Sequence, residues 1–288
     1  MRNFRNVKGG QAAIEYAARE EVNAFLPQKE TESLPHQGLQ PLVLHVPHAS
    51  THFPFMDGFT TDYPGLGKEI LKLTDWYTDE LFYTGVDLAV IAGFSRIFCD
   101  VERFVDDSQE IMAKFGMGVL YERSDEGQPL RRVDQLLRDQ VVNGYYLKHH
   151  RMFSELVQNQ LSLHGKVLIV DCHSFPDQPL QRDLDQHPDR PDFNIGTDEY
   201  HTPDFLKEVS TDFFLTRGFT VAIDRPYKGS IVPMDQFQKE KNVRTIMLEI
   251  NRRLYLNDGT NEKSACFGDI QRVTKDYLEL VRSAHAGN

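Results

Sequence analysis

The feature that most constrains this chain is a pair of apolar runs of strand length, each of which leads directly into a histidine. Residues 42–47 (LVLHVP) run into His48, and residues 167–170 (VLIV) run into the sequence DCHS, which carries His173. Continuous apolar runs of this length are typical of strands buried on both faces inside a parallel sheet. Because open α/β sheets place their chemistry at the carboxyl ends of such strands, we predict that His48 and His173 lie at one functional edge.

The rest of the chain alternates short strand patterns with helical ones. Residues 243–250 form a last strong strand pattern, and residues 130–163 show a long helical periodicity with a bend expected near Gly144. This alternation predicts a three-layer α/β fold in which a central mixed, largely parallel sheet is covered by helices on both faces. The other predicted strands are 86–91, 96–101, 193–197 and 219–223, and the other predicted helices are 69–83, 202–218 and 270–284.

Residues 1–40 differ from the rest, because they are polar and interrupted by glycine and proline. We predict an N-terminal extension over residues 1–40, packed on a single α/β domain of residues 41–288. Residues 11–25 of the extension have the pattern of one amphipathic helix. No catalytic residue is expected in this extension.

The charge balance and the cysteine content limit the partners and the compartment. The chain has 43 acidic and 32 basic residues, a formal net charge of -11, which argues against nucleic acid or an anionic membrane as the main partner. Its three cysteines are scattered and odd in number, which fits a reducing compartment. No apolar run reaches the length of about 18–20 residues that a membrane span needs, and the N-terminus has no signal-peptide core. We expect a cytoplasmic protein, and the sequence leaves its oligomeric state open.

Residues at the predicted strand ends indicate a metal site with hydrolytic chemistry. His48, His173 and one carboxylate would form a three-ligand site with an open fourth position, which is typical of catalytic zinc. Such a metal lowers the pKa of a bound water and polarises a carbonyl. Glu249, near the end of the last strand pattern, is placed to take the proton from that water and pass it to a leaving nitrogen.

Two arginines provide candidates for substrate binding. The guanidinium groups of Arg96 and Arg103 offer planar pairs of donors for a substrate carboxylate. Together with the metal site they predict hydrolysis of an amide on a small acidic molecule. The alternative is that both arginines pair at the surface with Asp100, Glu102 or Asp106.

The other candidate residues also have structural alternatives. A histidine at a strand end is often only a hydrogen-bonded structural residue. Glu249 can form a buried pair with Arg252 or Arg253. Asp75 and Asp79 are four residues apart in a predicted helix, so they either form a solvated acidic face or turn one carboxylate into the pocket.

Two other kinds of protein fit the same residues. Cys172 lies between Asp171 and His173, a composition that fits a thiol hydrolase. Neighbouring residues of a strand point to opposite faces, however, so a packed thiol is the expected state of Cys172. The second alternative is a non-catalytic protein that binds an acidic ligand in the same pocket.

Six separated motifs resemble one family in the same chain order. They lie within roughly residues 41–256, and the chain is similar there to the N-formylglutamate amidohydrolase family. The resemblance implies a fold similar to zinc carboxypeptidases and aspartoacylases, and hydrolysis of N-formyl-L-glutamate to L-glutamate and formate at the end of a histidine degradation route. The motifs are VPHAS (46–50), DWYTDEL (75–81), SRIFCDVER (95–103), DCHS (171–174), RPYKGS (225–230) and MLEINRRLYL (247–256).

The resemblance also implies a metal site with particular ligands. It assigns His48 and His173 as ligands of one zinc ion per chain, although another divalent metal would serve. Similar carboxypeptidase-like enzymes take a glutamate three residues after the first histidine, but that position here is Thr51. Asp75 or Asp79 then has to supply the third ligand, and Asp75 is the preferred choice.

Further roles follow from the remaining motifs. The resemblance implies Glu249 as the general base, and Arg96 and Arg103 as candidates for binding the carboxylates of the substrate. The pocket gains Tyr227 and Lys228 from RPYKGS. A nearby arginine or tyrosine, with Arg96 as the first choice, would stabilise the oxyanion.

The chain departs from the family pattern at three positions. The family usually has glycine where this chain has Ser50, asparagine where it has Glu102, and a second glycine where it has Ser230. Glu102 matters most, because an acid near an anion pocket repels the substrate unless a positive charge compensates it.

Overall fold

A computed structural model describes residues 40–288. The helix predicted at residues 11–25 lies outside the described residues. The division into an extension and a single domain therefore stays a prediction. None of the helices within residues 40–288 is long and apolar enough to cross a membrane.

Six strands and six helices form the described chain. The long helical region predicted at 130–163 consists of two helices joined by a π-helical segment, Val142–Tyr146, which includes Gly144. The strands are β1 Val43–Val46, β2 Leu88–Ile91, β3 Val167–Phe175, β4 Phe193–Gly196, β5 Val221–Ile223 and β6 Val243–Asn251. The helices are α1 Tyr63–Leu73, α2 Thr78–Leu81, α3 Gln135–Val141, α4 Leu147–His164, α5 Asp204–Leu215 and α6 Phe267–Gly287.

The strands form one mixed sheet in the order β2-β1-β3-β6-β4-β5. Neighbouring strands in the series β2, β1, β3 and β6 are parallel. β4 runs antiparallel to β6, and β5 runs parallel to β4. The prediction of a mixed, largely parallel sheet is confirmed, and the carboxyl ends of four strands meet at one edge.

Successive residues of β3 pack on opposite faces of the sheet, as the pleat requires. Ile169 belongs to a buried cluster with Phe153 of α4. Val170 belongs to a second cluster, which includes Phe214 of α5 and Leu278 of α6. Helices therefore cover both faces, and the predicted three-layer, carboxypeptidase-like arrangement is confirmed.

The helix predicted over residues 69–83 is confirmed only in part, because residues 69–73 belong to α1, residues 78–81 form α2, and the chain leaves the helix between them. The N–H of Thr74 still donates to Ile70, but the N–H of Asp75 donates to the carbonyl of His48 at 3.0 Å. Tyr77 then adopts a left-handed backbone with φ of 63°. This bond to the loop after β1 separates α1 from the short α2 and draws Asp75 toward the sheet edge.

The predicted strand over residues 96–101 is also wrong. The carbonyl of Ser95 accepts hydrogen bonds from the N–H groups of Phe98 and Cys99 at 2.9 and 3.1 Å, and its Oγ accepts one from Ile97. These local bonds fold the segment into a turn, so its backbone donors do not pair with a neighbouring strand.

Truncation of a buried leucine tests the layered core. Leu248 of β6 is 0% exposed, so Leu248→Ala should lower the free energy of unfolding by about 2–5 kcal/mol by leaving a cavity. The matched control is Leu136→Ala on α3, where the side chain is 79% exposed and the loss should stay below about 0.5 kcal/mol. Urea denaturation followed by circular dichroism compares the two variants, and equal losses would contradict this core.

Candidate active site

A pocket of about 190 Å³ lies at the edge where the parallel strands end. The register of the sheet places His173 of β3 beside Glu249 of β6. β3 extends to Phe175, beyond the predicted end at residue 170, so His173 lies within the strand and its orientation is fixed by the pleat. All predicted site residues line this pocket: His48, Asp75, Arg96, Arg103, His173, Tyr227, Lys228 and Glu249.

His48, Asp75 and His173 form a buried group whose side-chain atoms converge. The Nδ1 atom of His173 lies 3.0 Å from Asp75 Oδ2, and the Nδ1 atom of His48 lies 3.6 Å from the same oxygen. One ligand atom from each residue lies within 4.8 Å of the others, and all three residues are buried. This donor set suits a divalent cation.

The outer nitrogens of both rings are held by carboxylates. His48 Nε2 donates to Asp100 Oδ1 at 3.0 Å, and His173 Nε2 is 3.1 Å from both Asp171 Oδ1 and Glu102 Oε1. Carboxylates commonly orient metal-binding histidines in this way. His48 Nδ1 is buried without a hydrogen-bond partner among the described residues, as a nitrogen that binds a metal would be. The residues present therefore fit a metal ion.

Asp75, and not Asp79, reaches this group. Asp75 follows α1, and its Oδ1 accepts a hydrogen bond from Arg252 Nη2 at 3.0 Å. Burial opposes ionisation of Asp75, but the hydrogen bond from His173 and the positive charge of Arg252 outweigh it and lower the pKa below its ordinary value. Asp79 lies on α2 and is not part of the pocket wall.

Glu249 is a buried carboxyl group without a salt bridge to the neighbouring arginines. The side chain is 6% exposed, and burial raises its pKa to about 8. Its Oε2 has no hydrogen-bond partner among the described residues. The alternative pairings are not formed, because Arg252 binds Asp75 and Arg253 binds Asp177 and Asp192. An uncompensated buried carboxyl beside the His/Asp/His group is suited to proton transfer.

The two predicted arginines differ in how their donors are used. Arg96 donates to Asp100 Oδ2 through Nη2 at 3.0 Å, and its Nη1 lies 3.9 Å from Asp75 Oδ1. Arg103 Nε is 3.5 Å from Asp100 Oδ2, and no hydrogen bond joins its guanidinium to another described residue. The backbone of Arg103 is held instead, since Tyr146 of the π-helical segment donates to its carbonyl at 2.8 Å. Arg103 thus presents donors to the pocket from a fixed loop.

Tyr227 and Lys228 reach the pocket on a loop that packs against β4. A Cβ at Gly196 would clash with the carbonyl of Gly229, so glycine at 196 permits this approach. The Tyr227 hydroxyl donates to Asp183 at 3.1 Å. Lys228 is exposed and forms no ion pair with any residue between 40 and 288. The pocket has six cationic side chains in its wall: Lys72, Arg96, Arg103, Arg182, Lys228 and Arg252.

The thiol alternative does not fit the geometry. Cys172 is 0% exposed, belongs to the apolar cluster on the face away from His173, and donates to the Val170 carbonyl. Burial also raises the pKa of its thiol well above the ordinary value. Cys172 is therefore a packed thiol, as expected from the strand pattern.

Two supporting residues, Asp100 and Arg252, are not predicted as such from the sequence. Asp100 and Asp171 orient the two histidines, and Arg252 holds Asp75. Asp171 lies two residues before His173 on the same strand face, a spacing from which the sequence alone predicts that one side chain holds the other or that both face one pocket. Arg252 follows the carboxyl end of β6, so the strand-end rule would have included it. No comparable signal marks Asp100 as the partner of His48, because the two residues are 52 positions apart.

The fold and the site together define a carboxypeptidase-like α/β hydrolase. Residues 40–256 match the model of the N-formylglutamate amidohydrolase family. The chain therefore belongs to the N-formylglutamate amidohydrolase family, and the resemblance inferred from its motifs is confirmed.

Two solved structures resemble this chain. The N-formylglutamate amidohydrolase from Ralstonia eutropha JMP134 has a TM-score of 0.77 and 24% sequence identity, over 88% of this chain and 96% of that one. The gene product Atu2144 from Agrobacterium tumefaciens has a TM-score of 0.57 and 18% identity, over 85% and 92% of the two chains. At these identities the likeness shows the fold. No curated protein matches the sequence significantly.

The raised pKa of Glu249 predicts how the stability of the metal-free protein depends on pH. The ordinary pKa is 4.5 and the folded value is about 8, so the folded state retains a proton that the unfolded state loses between these values. Stability should therefore fall as pH rises from 5 to 8, by a few kcal/mol relative to Glu249→Gln, which cannot ionise. Urea denaturation in the presence of a chelator measures this, and a difference that stays constant with pH would contradict the raised pKa.

Proposed function

We propose that this protein hydrolyses N-formyl-L-glutamate to L-glutamate and formate, with a zinc ion or another divalent metal bound by His48, Asp75 and His173. The observation that carries the proposal is the convergence of two Nδ1 atoms and one carboxylate oxygen beside the buried Glu249. Membership of the N-formylglutamate amidohydrolase family supplies the reaction. This substrate would place the protein at the end of a histidine degradation route.

Glu249 is the proposed general base. Bound zinc would supply Lewis-acid chemistry, since it lowers the pKa of a water molecule and polarises an amide carbonyl. Glu249 in its carboxylate form takes a proton from the attacking water and delivers it to the departing amine. A positive charge at the His48–Asp75–His173 group favours this carboxylate form against the opposing effect of burial.

The two arginines have different proposed roles, substrate binding and oxyanion stabilisation. Arg103 has donors that no described residue uses, so it binds a carboxylate of the substrate. Arg96 is the proposed oxyanion-stabilising residue, and the observation that supports this role is the 3.9 Å distance from its Nη1 to Asp75 Oδ1 of the proposed metal group. Lys228 adds positive charge at the pocket wall for the second carboxylate, and Tyr227 shapes the same wall.

The dimensions and charge of the pocket favour a small anionic substrate. Its volume of about 190 Å³ lies below the range of about 300–1,000 Å³ that is usual for drug-sized ligands. Its wall contains six cationic side chains and five carboxyl groups, so it is less acidic than the whole chain, whose net charge is -11. A formyl group on glutamate fits both conditions, although another short N-acyl amino acid is the alternative substrate.

Formate release tests the proposed reaction directly. Purified protein loaded with zinc should release formate from N-formyl-L-glutamate, a chelator should stop the release, and zinc should restore it. Glu249→Gln should abolish turnover and retain the same zinc content. Absence of formate release from the zinc-loaded protein would refute the proposed substrate, and the test would pass to other N-acyl amino acids and to ligand binding without turnover.

A matched pair of aspartate variants tests the third ligand. Asp75→Asn should reduce zinc affinity by at least tenfold and reduce formate release in parallel, because it removes the oxygen on which both Nδ1 atoms converge. Asp79→Asn should keep both properties, since Asp79 is not part of the pocket wall. Isothermal titration with Zn²⁺ gives the affinities. Unchanged affinity in Asp75→Asn would exclude Asp75 as a ligand.

A further inference from the structure

A second group of ligand-type side chains lies directly beside the first, and two of its members, Asp171 and Glu102, also hold His173 Nε2. His45 Nδ1 is 3.0 Å from Asp171 Oδ1 and 3.6 Å from Glu102 Oε1. One atom from each of these three residues lies within 4.8 Å of the others, as in the first group. His45 and Asp171 are buried, and Glu102 is partly exposed. The group comes from β1, β3 and the loop that carries Arg103.

His173 completes this arrangement as a fourth neighbour. Its Nε2 is 3.1 Å from both Asp171 Oδ1 and Glu102 Oε1, while its Nδ1 faces Asp75. Four donor atoms around a tetrahedral zinc ion with bonds of about 2.0–2.2 Å are separated by roughly 3.3–3.6 Å. The separation of His45 Nδ1 and Glu102 Oε1, 3.6 Å, lies within that range, whereas the other three separations, 3.0–3.1 Å, are shorter and have the length of hydrogen bonds. The imidazole of His173 therefore has a group of metal-ligand-type side chains beside each of its two nitrogens.

The charges of this second group call for a cation. Within residues 40–288, neither Asp171 nor Glu102 forms an ion pair with an arginine or a lysine, whereas Asp75 has Arg252 and Asp100 has Arg96. Their partners are instead the imidazoles of His45 and His173, and Asp171 Oδ2 accepts a hydrogen bond from the N–H of Ile231 at 3.1 Å. A divalent cation would compensate both of them.

The ring of His45 is held in place for such a role. Its Nε2 forms a hydrogen bond with His149 Nε2 at 3.0 Å, which leaves Nδ1 directed at Glu102 and Asp171. Metal-binding histidines commonly have their second nitrogen bound in this way. The side chain of Glu102 is 19% exposed and lines the pocket, so an ion can reach the group from the pocket.

We propose that His45, Glu102 and Asp171 bind a second divalent cation of the zinc class. His173 Nε2, which is hydrogen-bonded to Asp171 and Glu102, joins them as a fourth ligand only when its proton is released to solvent and the imidazolate bridges the two cations. The imidazole of His173 then lies between two cation positions. This role also accounts for an acid at position 102 beside an anion pocket, because the cation offsets its charge. The inference rests on the proposed function only in that one of the two ions is the ion proposed at His48, Asp75 and His173, and metal content is measured separately from formate release.

The test is the zinc stoichiometry of the full chain, measured by equilibrium dialysis against buffered Zn²⁺ and elemental analysis. Wild type should bind two ions per chain. His45→Gln and Glu102→Gln should each bind one, and the matched control His150→Gln should still bind two, because His150 bonds only to the Val101 carbonyl. His48→Gln should also bind one, because it removes only the first group. Circular dichroism checks that each variant is folded, and the partly exposed Glu102 offers a variant that disturbs the core less than His45.

One zinc ion per wild-type chain, or an unchanged stoichiometry of two in both His45→Gln and Glu102→Gln, would overturn the second site. Loss of both ions from every variant would also overturn it, because the two groups would then form a single site. Anomalous scattering at the zinc edge from a crystal of the wild-type protein should show two peaks, one at each group, and a single peak would overturn the proposal. The proposed reaction fails separately, by absence of formate release from zinc-loaded protein.

Discussion

The carboxylate of Asp100 connects His48 with Arg96, and the orientation of both side chains depends on it. Its Oδ1 accepts from His48 Nε2 at 3.0 Å, and its Oδ2 accepts from Arg96 and from the Tyr121 hydroxyl at 3.0 and 2.6 Å. Asp100 is fully buried, and the nearby arginines and His48 keep its pKa well below the ordinary value despite burial. One charged group therefore fixes both the imidazole of His48 and the guanidinium of Arg96.

The sheet and its functional edge could be predicted from the sequence because they depend on local patterns. Apolar runs such as 167–170 predict buried strands, and parallel strands bring their carboxyl ends together at one edge of the sheet. Two local patterns gave incorrect predictions: the continuous helix over residues 69–83 and the strand over residues 96–101. In the first, a single bond from Asp75 N–H to the His48 carbonyl overrides helical periodicity. In the second, the carbonyl and hydroxyl oxygens of Ser95 accept hydrogen bonds from backbone N–H groups that would pair with a neighbouring strand if the segment were a strand.

The residues with proposed chemical roles could be predicted from the sequence more readily than the residues that hold them in place. His48, His173 and Glu249 all follow from strand ends, and the pocket wall contains every one of them. The choice of Asp75 over Asp79 required the motifs, because spacing alone treats the two alike. Asp100 supports the site through residues 4 to 52 positions away in the chain, and such contacts have no periodic signature. A single sequence is therefore least informative about carboxylates that orient other site residues through contacts distant in the chain.

The π-helical segment between α3 and α4 has a consequence for how the helix faces the sheet. A π turn holds about one residue more than an α turn, and one residue corresponds to roughly 100° of rotation about the axis. Tyr146, at the end of that segment, reaches the Arg103 carbonyl, and His149 reaches His45 one turn later. A regular helix from α3 onward would turn these side chains away from the site. The angular phase of one helix, set by a single additional residue, thus decides which side chains reach the catalytic edge.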